Sequence, residues 1–590
     1  MPHKKKLHLL KVYKIYYSFF LKYKIRFFLF IVVVLILSIL NGIQPYFYKI
    51  FVELLPSGDF VFLGKILLIY VGVRILTSFV GILHHWLGDT FLLPAARDAR
   101  LAIFKKIQEL DFAFHLSKST GSLISTFKRG DGAFFNLFFV LNVDLSQIIL
   151  SLIITSFFLF QVSWQMAFLM FICFSFNFFI AFFLIKKNMV ARKAFNKAED
   201  QISATIVDNM INYETVKFFS KEEHEYNSLK FQFKKWIKKL WAFAYTYYQM
   251  DIIVSILGNL TIFFILLIGF NGIKNNTVTI AEYVMVLGYI TSFYPKFSQL
   301  MRQLRQLSKH DVDLQKYFAA LDLEVKVKDP VMPVDKDFVK GEIEFENVKF
   351  VYQENGQPAL ENFSLHVRQG QSIALVGRSG VGKTTVVKLL MRFFDTDSGA
   401  IKIDDVNIKE FSKSTLRSFI GIVPQDPIFF NKSIADNVAY GYADMVGKKN
   451  SVSQAEIMAA IKMANLYDFV STLPLGLKTV VGERGMKLSG GQKQRLAIAR
   501  MILANPDIIV FDEATSQLDS ESEKIIQDAF WKATKNKTTI IIAHRLSTVV
   551  KADKIVVMEK GQIREIGSHH ELLAKADGVY KKFWDLQRID

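Results

Sequence analysis

The fold of this chain is indicated by one glycine-rich stretch, Gly377-Arg378-Ser379-Gly380-Val381-Gly382-Lys383-Thr384-Thr385, which follows the apolar run 373–376. The spacing of its glycines, lysine and threonine is typical of a loop whose backbone N–H groups converge on phosphate oxygens. In such a loop Lys383 reaches the outer phosphates, and the Thr384 hydroxyl can hold Mg²⁺. Residues 386–391 predict a helix whose positive N-terminal end faces the phosphates. We therefore predict a phosphate site in a strand–loop–helix unit.

The composition predicts a large chain that is inserted in a membrane. The 590 residues exceed the usual size of one domain, so two or more domains are expected. Hydrophobic residues make up 51% of the chain and include 56 Phe, which favours membrane spans over a soluble core. The net charge of +19 would suit a nucleic acid or a membrane surface. Because Lys and Arg crowd beside apolar runs without a nucleic-acid motif, we expect membrane lipid and no nucleic acid as partner.

Six apolar stretches in the first half of the chain predict six transmembrane helices: 27–48, 61–83, 135–160, 166–185, 252–270 and 281–294. The connections between them are alternately short, with almost no Lys or Arg, and long, with many of both. Because positive residues stay on the cytoplasmic side, both termini and the long connections 89–132 and 186–250 are expected in the cytosol. The third and sixth stretches have the softest ends, since Asn142, Asp144 and Pro295 interrupt them.

The long connections predict helical extensions of the spans into the cytosol. Residues 186–239 carry apolar residues at helical spacing and contain no Pro or Gly. The helical pattern breaks near the middle of each long connection, at residues 111–121 and at residues 209–220. These stretches are candidate contact elements at the tips of helical hairpins, and plain surface turns are an equal alternative.

The domain boundaries follow from a change of pattern. Two prolines in residues 329–335 forbid regular structure, and strand-like runs alternate with helical ones beyond them. The prediction is a cytoplasmic tail at 1–25, a transmembrane domain at 26–323, a linker at 324–340 and a nucleotide-binding domain at 341–590. The expected fold class is an all-α six-helix transmembrane domain followed by an α/β P-loop NTPase domain.

A second motif is Ile-Ile-Val-Phe-Asp-Glu at residues 508–513. Its four apolar residues predict a buried strand whose end places Asp512 where a carboxylate can bind Mg²⁺ through water. Glu513 follows and can orient or deprotonate the water that attacks a γ-phosphate. Standing alone, the motif could equally be a strand that merely ends in acidic residues.

A third motif is Leu488-Ser489-Gly490-Gly491-Gln492, which precedes the helix-forming run 493–500. Two glycines before a helix expose backbone N–H groups, and the serine adds a hydroxyl, which gives a second anion-binding end. Alone, this motif could be a turn.

In this order the motifs resemble the nucleotide-binding domain of an ATP-binding cassette (ABC) transporter, and the six spans resemble the exporter-type membrane domain. The resemblance covers essentially the whole chain and implies an ATPase coupled to transport, with ATP and Mg²⁺ as cofactors. In that family the signature loop 488–492 faces the nucleotide of the opposite subunit. Because one chain carries one phosphate loop and one signature loop, the resemblance implies a partner, either a second copy or a paralogous half-transporter.

The resemblance also assigns roles to single residues. Tyr352 corresponds to the aromatic residue that stacks on adenine, and Gln425 to the glutamine that touches Mg²⁺ and senses the membrane domain. His544 matches a histidine at the γ-phosphate, Asp519 matches the inter-subunit loop, and Glu483 matches a contact point for the partner's cytoplasmic hairpin. Each of these residues by itself would more often be an ordinary strand or surface residue.

The implied site is therefore a composite of four groups. Its members are the catalytic residues Glu513 and His544; the nucleotide-binding residues Tyr352, Gly377, Arg378, Ser379, Gly380, Val381, Gly382, Lys383, Thr384, Thr385 and Gln425; the Mg²⁺ ligands Thr384, Gln425 and Asp512; and, across the subunits, Leu488, Ser489, Gly490, Gly491, Gln492 and Asp519. Gln517 departs from the small residue usual in the family, which puts the fine coupling between two sites in doubt.

Residues 120–130 and 212–219 resemble the cytoplasmic hairpins of one branch, the subfamily B half-transporters of mitochondria and bacteria that export heavy-metal and glutathione conjugates. This match concerns coupling regions, so the substrate stays open among an amphiphile, a lipid, a drug and a glutathione or metal conjugate. The resemblance implies a multi-pass exporter of the bacterial inner membrane with cytoplasmic termini, which works as a dimer by alternating access. The alternatives are an ATP-gated channel or regulator and a soluble DNA-repair ATPase, which would lack the spans.

Overall fold

The computed structural model describes residues 9–117, 120–352, 356–442, 452–512, 520–543 and 546–589. These residues form two compact units. The first unit contains the described parts of 1–109 and 118–323, and the second contains 110–117 together with the described parts of 324–590.

The first unit is helical. In chain order the α-helices up to residue 319 are α1 (Leu9–Leu21), α2 (Lys24–Leu54), α3 (Phe60–Glu109), α4 (Phe112–Ser117), α5 (Thr120–Phe138), α6 (Leu145–Val162), α7 (Trp164–Ile211), α8 (Tyr213–Phe218), α9 (Glu222–Lys274) and α10 (Ile280–Ala319), of which α4 belongs to the second unit. Helices α3, α7 and α9 have 50, 48 and 53 residues. At 1.5 Å per residue each is about 75 Å long, more than twice the thickness of the hydrocarbon core. These helices therefore continue well beyond the length needed for a span, and the cytosolic position of their extensions stays a prediction.

Five helical stretches are long and apolar enough to cross a membrane: 24–57, 60–109, 123–162, 164–211 and 222–274. They contain the first five predicted spans. The sixth predicted span lies in α10, which has the length but is not among these stretches in the described part of the chain, so the count of six is not confirmed. The reason is its composition, because Glu282, Lys296, Pro295 and several hydroxyl-bearing side chains dilute the apolar pattern.

The third span is interrupted where the sequence indicates a soft boundary. Residues Phe139–Asp144 form a turn of π-helix between α5 and α6. Within this turn the Asn142 amide donates to the Phe138 carbonyl at 3.2 Å, and its side-chain oxygen accepts from the Tyr17 hydroxyl at 3.4 Å. The polar side chain is therefore satisfied inside the helical unit rather than exposed to lipid.

The second unit is an α/β domain. Its strands are β1 (Ile343–Val351), β2 (Pro358–Val367), β3 (Ser372–Val376), β4 (Ser398–Ile403), β5 (Val406–Asn407), β6 (Ile420–Val423), β7 (Ile508–Asp512), β8 (Thr538–Ile542), β9 (Lys554–Glu559) and β10 (Gln562–Gly567). Its helices beyond α4 are α11 (Lys383–Leu390), α12 (Lys413–Ser418), α13 (Ile434–Ala439), α14 (Gln454–Met463), α15 (Tyr467–Thr472), α16 (Gly490–Ala504), α17 (Ser520–Ala533), α18 (His569–Ala574) and α19 (Val579–Ile589).

The strands form two sheets. One is antiparallel, in the order β2-β1-β4-β5, and the other has the order β10-β9-β3-β8-β7-β6. In the second sheet all strands from β9 to β6 are parallel, and β10 is antiparallel to β9. Residues 508–511 and 538–542 are fully buried, which explains why β7 and β8 are continuous apolar or Thr-rich runs rather than alternating patterns.

The parallel sheet brings the predicted site residues to one edge. Strand β3 ends at Val376, directly before the glycine-rich loop. In the neighbouring strands Asp512 pairs with Ile542, and Phe511 pairs with Val423, two residues before Gln425. Ligands of open α/β sheets bind at this carboxyl edge. The topology therefore aligns the phosphate loop, the acidic strand end and the Gln425 loop.

Candidate nucleotide-binding site

Two positions in the glycine-rich loop admit no side chain. Gly377 has φ 156° and Gly382 has φ 108°. A Cβ atom on Gly377 would lie 2.4 Å from the carbonyl oxygen of Met558, and one on Gly382 would lie 2.5 Å from that of Ala359. Both contacts are with backbone, which cannot move aside. The loop therefore needs glycine at these positions to hold its backbone against the sheet.

Lys383 braces this loop from inside. Its ammonium group donates to the carbonyl oxygens of Gly377 at 2.7 Å and Arg378 at 3.1 Å, and only 4% of the residue is exposed. A buried ammonium is stable only with such acceptors around it. Thr384, the next residue, is exposed at the start of α11. The loop thus combines a fixed cation, a hydroxyl and a helix N-terminus, an arrangement whose chemistry suits phosphate.

Tyr352 is held beside the loop by other aromatic rings. The rings of Phe350 and Phe394 meet it edge-on, at centroid distances of 4.9 and 5.5 Å. Its hydroxyl shares a hydrogen bond of 3.3 Å with the hydroxyl of Thr385, one residue beyond Thr384. The ring is only half-buried. Its orientation is therefore fixed while part of its surface stays open to a nucleobase.

Removal of the Tyr352 ring should weaken nucleotide binding. We expect Tyr352→Ala to raise the KM for ATP about 5- to 100-fold, because base–aromatic stacking contributes about 1–3 kcal/mol. Tyr352→Phe keeps the ring and loses only the hydroxyl, so its KM should stay within about two-fold of the wild type. ATPase assays over a range of ATP concentrations check this. Equal KM increases in both variants would contradict a stacking role.

The acidic strand end and the neighbouring loop supply oxygen ligands. Asp512 is half-buried at the end of β7, and Gln425 is exposed. The Gln425 carbonyl accepts a hydrogen bond of 2.5 Å from the Gln494 amide, which fixes this loop to α16. A carboxylate, an amide oxygen and the Thr384 hydroxyl are the hard oxygen donors that Mg²⁺ prefers beside phosphate oxygens and water. The residues at this edge therefore suit Mg²⁺.

The signature loop forms the start of α16. Ser489 caps this helix: its hydroxyl accepts from the Gln492 N–H at 3.3 Å, and the Gln492 side chain accepts from the Ser489 N–H at 2.9 Å. Ser489 and Gly490 are exposed, whereas Gly491 is buried. The capping box orients the first turn. The N–H groups of Ser489 and Gln492 are used within this box, so the exposed Gly490 and the positive end of a 15-residue helix are what this surface presents to an anion.

The other end of α16 is anchored by a half-buried arginine. Arg500 donates to the Asn437 carbonyl at 2.8 Å, and its guanidinium carbon lies 4.8 Å from the centre of the Phe429 ring. Burial lowers the pKa of Arg500 below the usual arginine value. Arginine nevertheless stays charged at neutral pH. The anchored helix keeps the signature loop in a defined position.

Comparisons with known proteins give the same assignment. A model described as "ABC transporter transmembrane region" matches residues 27–294, and one described as "ABC transporter" matches residues 360–516. A solved bacterial Atm1-family ABC exporter with ATP bound has a TM-score of 0.83 at 30% identity, covering 95% of this chain and 98% of that one. The chain belongs to the ABC transporter family. It is therefore a member of a family of transport ATPases with a helical membrane domain followed by an ABC cassette.

The branch within the family is also shown. "ATP-binding cassette sub-family B member 6" of Mesocricetus auratus is 36% identical over 93% of this chain and 65% of its own length. "Heavy metal tolerance factor 1" of Caenorhabditis elegans is 32% identical over 93% of this chain and 68% of its own length. The chain thus spans about two thirds of the length of these curated relatives. The predicted resemblance to subfamily B half-transporters is confirmed.

The ABC cassette holds α4 tightly, although α4 precedes most of the membrane domain in sequence. The Phe112 ring stacks on Phe393 at 4.6 Å and 12°, and it meets Phe394 edge-on at 6.3 Å. The Asp111 carboxylate accepts from the backbone N–H groups of Lys326 and Val327 at 2.7 and 3.1 Å. Helix α4 and the start of the linker are therefore parts of the same packed unit as the nucleotide site.

A positive charge completes this contact. The Arg417 guanidinium lies 4.9 Å from the centre of the Phe393 ring, and its Nη2 donates to the Arg392 carbonyl at 3.2 Å. Burial lowers the pKa of Arg417. The sequence predicts residues 111–121 as a contact element and gives no signal for its aromatic partners, since a Phe pair after a helix is common in any core.

The sequence-derived site residues divide into two groups. The structure places the loop 377–385, Gln425 and Asp512 at one edge of the sheet. Tyr352 lies beside this loop and is bonded to Thr385. The signature loop lies at an exposed helix start. Glu513, Asp519 and His544 lie outside the described residues. Glu483 is exposed and begins the short turn Glu483–Gly485. The residues missed by sequence are Phe394 and Gln494, which hold Tyr352 and Gln425 in place.

Proposed function

We propose that this chain is an ATP-driven exporter that works as a dimer and moves its substrate out of the cytosol by alternating access. The observation that supports the proposal is that one cassette carries two separate candidate ends for phosphate, the loop braced by Lys383 and the exposed start of α16 at Ser489. One nucleotide needs one of each. Two chains arranged head to tail supply two complete sites, and a second copy of this chain is the simplest partner.

The proposed chemistry assigns one task to each residue. Lys383 and the loop amides bind the phosphates, Tyr352 stacks on the base, and Ser489 and Gly490 of a second copy close the site. Thr384, Gln425 and Asp512 would hold Mg²⁺, which neutralises phosphate charge when bound. Glu513 orients or deprotonates the attacking water, and His544 contacts the γ-phosphate. The differential affinity of the closed dimer for ATP over its products turns hydrolysis into movement.

Helix α8 has the properties of a second contact to the cassettes. Three aromatic residues lie at the tip of the α7–α9 hairpin: Tyr213, Phe218 and Phe219. Their exposed fractions are 59%, 79% and 68%, respectively. Large aromatic side chains clustered on a surface usually mark a docking site. We propose that α8 docks on the cassette of a second copy, near the exposed Glu483. Each cassette would then contact α4 of its own chain and α8 of the other.

The proposed orientation places both termini and both hairpin tips in the cytosol. The support is the excess of Lys and Arg in the long connections and their near absence from the short ones. The proposed location is the inner membrane of a bacterial cell. The proposed cargo classes remain an amphiphile, a lipid, a drug and a glutathione or metal conjugate.

Reconstitution tests the function directly. In liposomes with outward-facing cassettes, Mg-ATP should drive accumulation of a cargo from a panel of glutathione conjugates, lipids and drugs, and that cargo should stimulate ATP hydrolysis. Dissipative flux down a gradient without accumulation would identify an ATP-gated channel or regulator instead.

The Phe112 stack gives a prediction about coupling. We expect Phe112→Ala to keep at least about half of the ATPase activity and to lower cargo accumulated per ATP about five-fold or more, because an aromatic pair contributes about 0.5–1.5 kcal/mol beyond its buried area. Leu116→Ala is the matched control, since Leu116 lies on the same helix and is 62% exposed. Paired ATPase and uptake measurements decide the matter. Parallel losses of both activities in Phe112→Ala would contradict a coupling role.

A further inference from the structure

A small cavity lies inside the membrane domain between α7, α9 and α10. Its volume is about 40 Å³, and its wall is formed largely by Met170, Phe174, Ile265, Phe293 and Phe297. This volume exceeds the roughly 10–15 Å³ needed by one water molecule and is below the roughly 150 Å³ of a cavity that binds benzene. The space therefore suits a small terminal group of a ligand rather than a whole ring.

Asn177 gives this apolar cavity a preference for a ligand that donates a hydrogen bond. The residue is 3% exposed and lines the cavity. Its side-chain N–H₂ donates to the Cys173 carbonyl at 3.0 Å, which identifies the other atom as the oxygen. That oxygen is buried and has no hydrogen-bond partner among the described residues. A buried acceptor without a donor is costly, so the cavity favours a ligand that supplies one.

The remaining polar groups of the wall are already satisfied. The Thr261 hydroxyl donates to the backbone of its own helix at 2.8 Å. The Tyr294 hydroxyl donates to two backbone carbonyls of α9, at 3.2 and 3.1 Å. No charged side chain in the described part of the chain lines the cavity. A cationic ligand would therefore find no counter-ion, and an anionic one would face the Asn177 lone pairs.

The depth of the cavity indicates an apolar ligand body. Asn177, Thr261 and Tyr294 lie about 13 or 14 residues from the helix ends that meet the short connections, which is about 20 Å along each helix. The hydrocarbon core of a bilayer is about 30 Å thick, so the Asn177 oxygen lies well inside it. Phe174 and Ile262 on the rim are only half-buried, which leaves a side open for the rest of the ligand.

The cavity is shaped by a close helix contact. A Cβ atom at Gly258 would lie 1.8 Å from the Tyr294 ring, so glycine allows this ring to cross from α10 onto α9. The ring is fixed there by its two hydrogen bonds to the α9 backbone. The wall opposite Asn177 is thus built by specific packing rather than left as a loose gap.

We propose that this cavity binds the hydroxyl end of a neutral amphiphile, with Asn177 Oδ1 as the acceptor and the apolar body along the open rim. The chemical class is a long-chain alcohol or a lipid with one free hydroxyl. The proposal concerns binding, which is measured without ATP, so its failure would leave the export proposal untouched.

Photolabelling of the full-length chain in lipid nanodiscs tests this binding. The probe is a long-chain primary alcohol with a diazirine near its hydroxyl, and the comparison probe is the methyl ether of the same molecule. We expect about five-fold more labelling of peptides containing Met170 or Tyr294 by the alcohol, the ratio that one hydrogen bond of about 1 kcal/mol supplies. Equal labelling by the two probes would overturn the proposal.

Three variants sharpen the test. Asn177→Leu should remove the preference for the alcohol, whereas Asn188→Leu should keep it, because Asn188 is a fully buried asparagine on the same helix that does not line the cavity. Ile262→Phe should reduce labelling by both probes, since a larger side chain at the rim blocks access. This variant keeps the proposal testable if Asn177→Leu does not fold. An alcohol preference that persists in a folded Asn177→Leu chain would refute the assigned acceptor.

Competition then distinguishes the source of the hydroxyl. Diacylglycerol added to the nanodisc lipid should displace the probe if the ligand is a membrane lipid. A short water-soluble alcohol should displace it if the ligand is a free small molecule. Failure of both competitors would refute the site.

Discussion

Lys383→Ala is expected to abolish ATP turnover and to weaken nucleotide binding strongly. The ammonium is the only side-chain cation held inside the described phosphate loop, where it donates to the carbonyls of Gly377 and Arg378. Alanine removes both the charge and this brace. We expect an ATP affinity about 10- to 100-fold lower, because charge-assisted hydrogen bonds contribute about 1.5–3 kcal/mol each. Turnover should fall below about 1% of the wild type, as with other lost transition-state donors.

Equilibrium binding of a fluorescent ATP analogue and steady-state hydrolysis measure the two effects separately. Lys535→Ala is the matched control, since Lys535 is an exposed lysine of the same domain that is far from the loop in sequence. It should retain wild-type values. A Lys383→Ala chain that binds ATP with unchanged affinity would show that the loop amides alone hold the phosphates.

Glu513→Gln is expected to lower hydrolysis about 10²- to 10⁴-fold, because amide substitution removes the general base. The change is isosteric and leaves Asp512 and the phosphate loop intact, so binding of ATP should persist. With binding kept and hydrolysis lost, the closed dimer should accumulate. Size-exclusion chromatography in detergent with Mg-ATP, together with retention of radiolabelled ATP, measures that state.

Glu410→Gln serves as the control for this substitution. Glu410 is exposed on the same domain, and its backbone, not its carboxylate, contacts Val334. Hydrolysis by this variant should equal that of the wild type. If Glu513→Gln hydrolyses ATP at the wild-type rate, Glu513 is not the base.

The parts of the fold that depend on local chemistry could be predicted from the sequence. The glycine spacing of 377–382 predicts the phosphate loop because backbone strain admits few other residues there. The apolar run before Asp512 predicts a buried strand, and the structure places it between β8 and β6 in the parallel part of the sheet. The absence of Pro and Gly from residues 186–239 predicts the helical continuation of α7 and the first part of α9 for the same local reason.

Features that depend on packing between distant segments could not be predicted. The stack of Phe112 on Phe393 joins residues about 280 positions apart, and neither residue has a distinctive local pattern. The π-helical turn at Phe139–Asp144 appears in the sequence only as polar residues in an apolar run. The cavity at Asn177 depends on three helices meeting. In α10 the mixture of polar and apolar residues, suited to packing among helices, weakens the signal of a span.

Cross-linking between two copies tests the central claim most directly, namely that ATP is bound across two chains by the phosphate loop of one and the signature loop of the other. The exposed Ser379 and Ser489 are each replaced by cysteine in a Cys173→Ser, Glu513→Gln background, which removes the single native thiol. A short bifunctional thiol reagent should then yield a covalent dimer with Mg-ATP and little with Mg-ADP. Chains with only one of the two new cysteines should not give this product. A double-cysteine chain that binds ATP yet stays monomeric, or cross-links equally without nucleotide, would contradict the two-chain site.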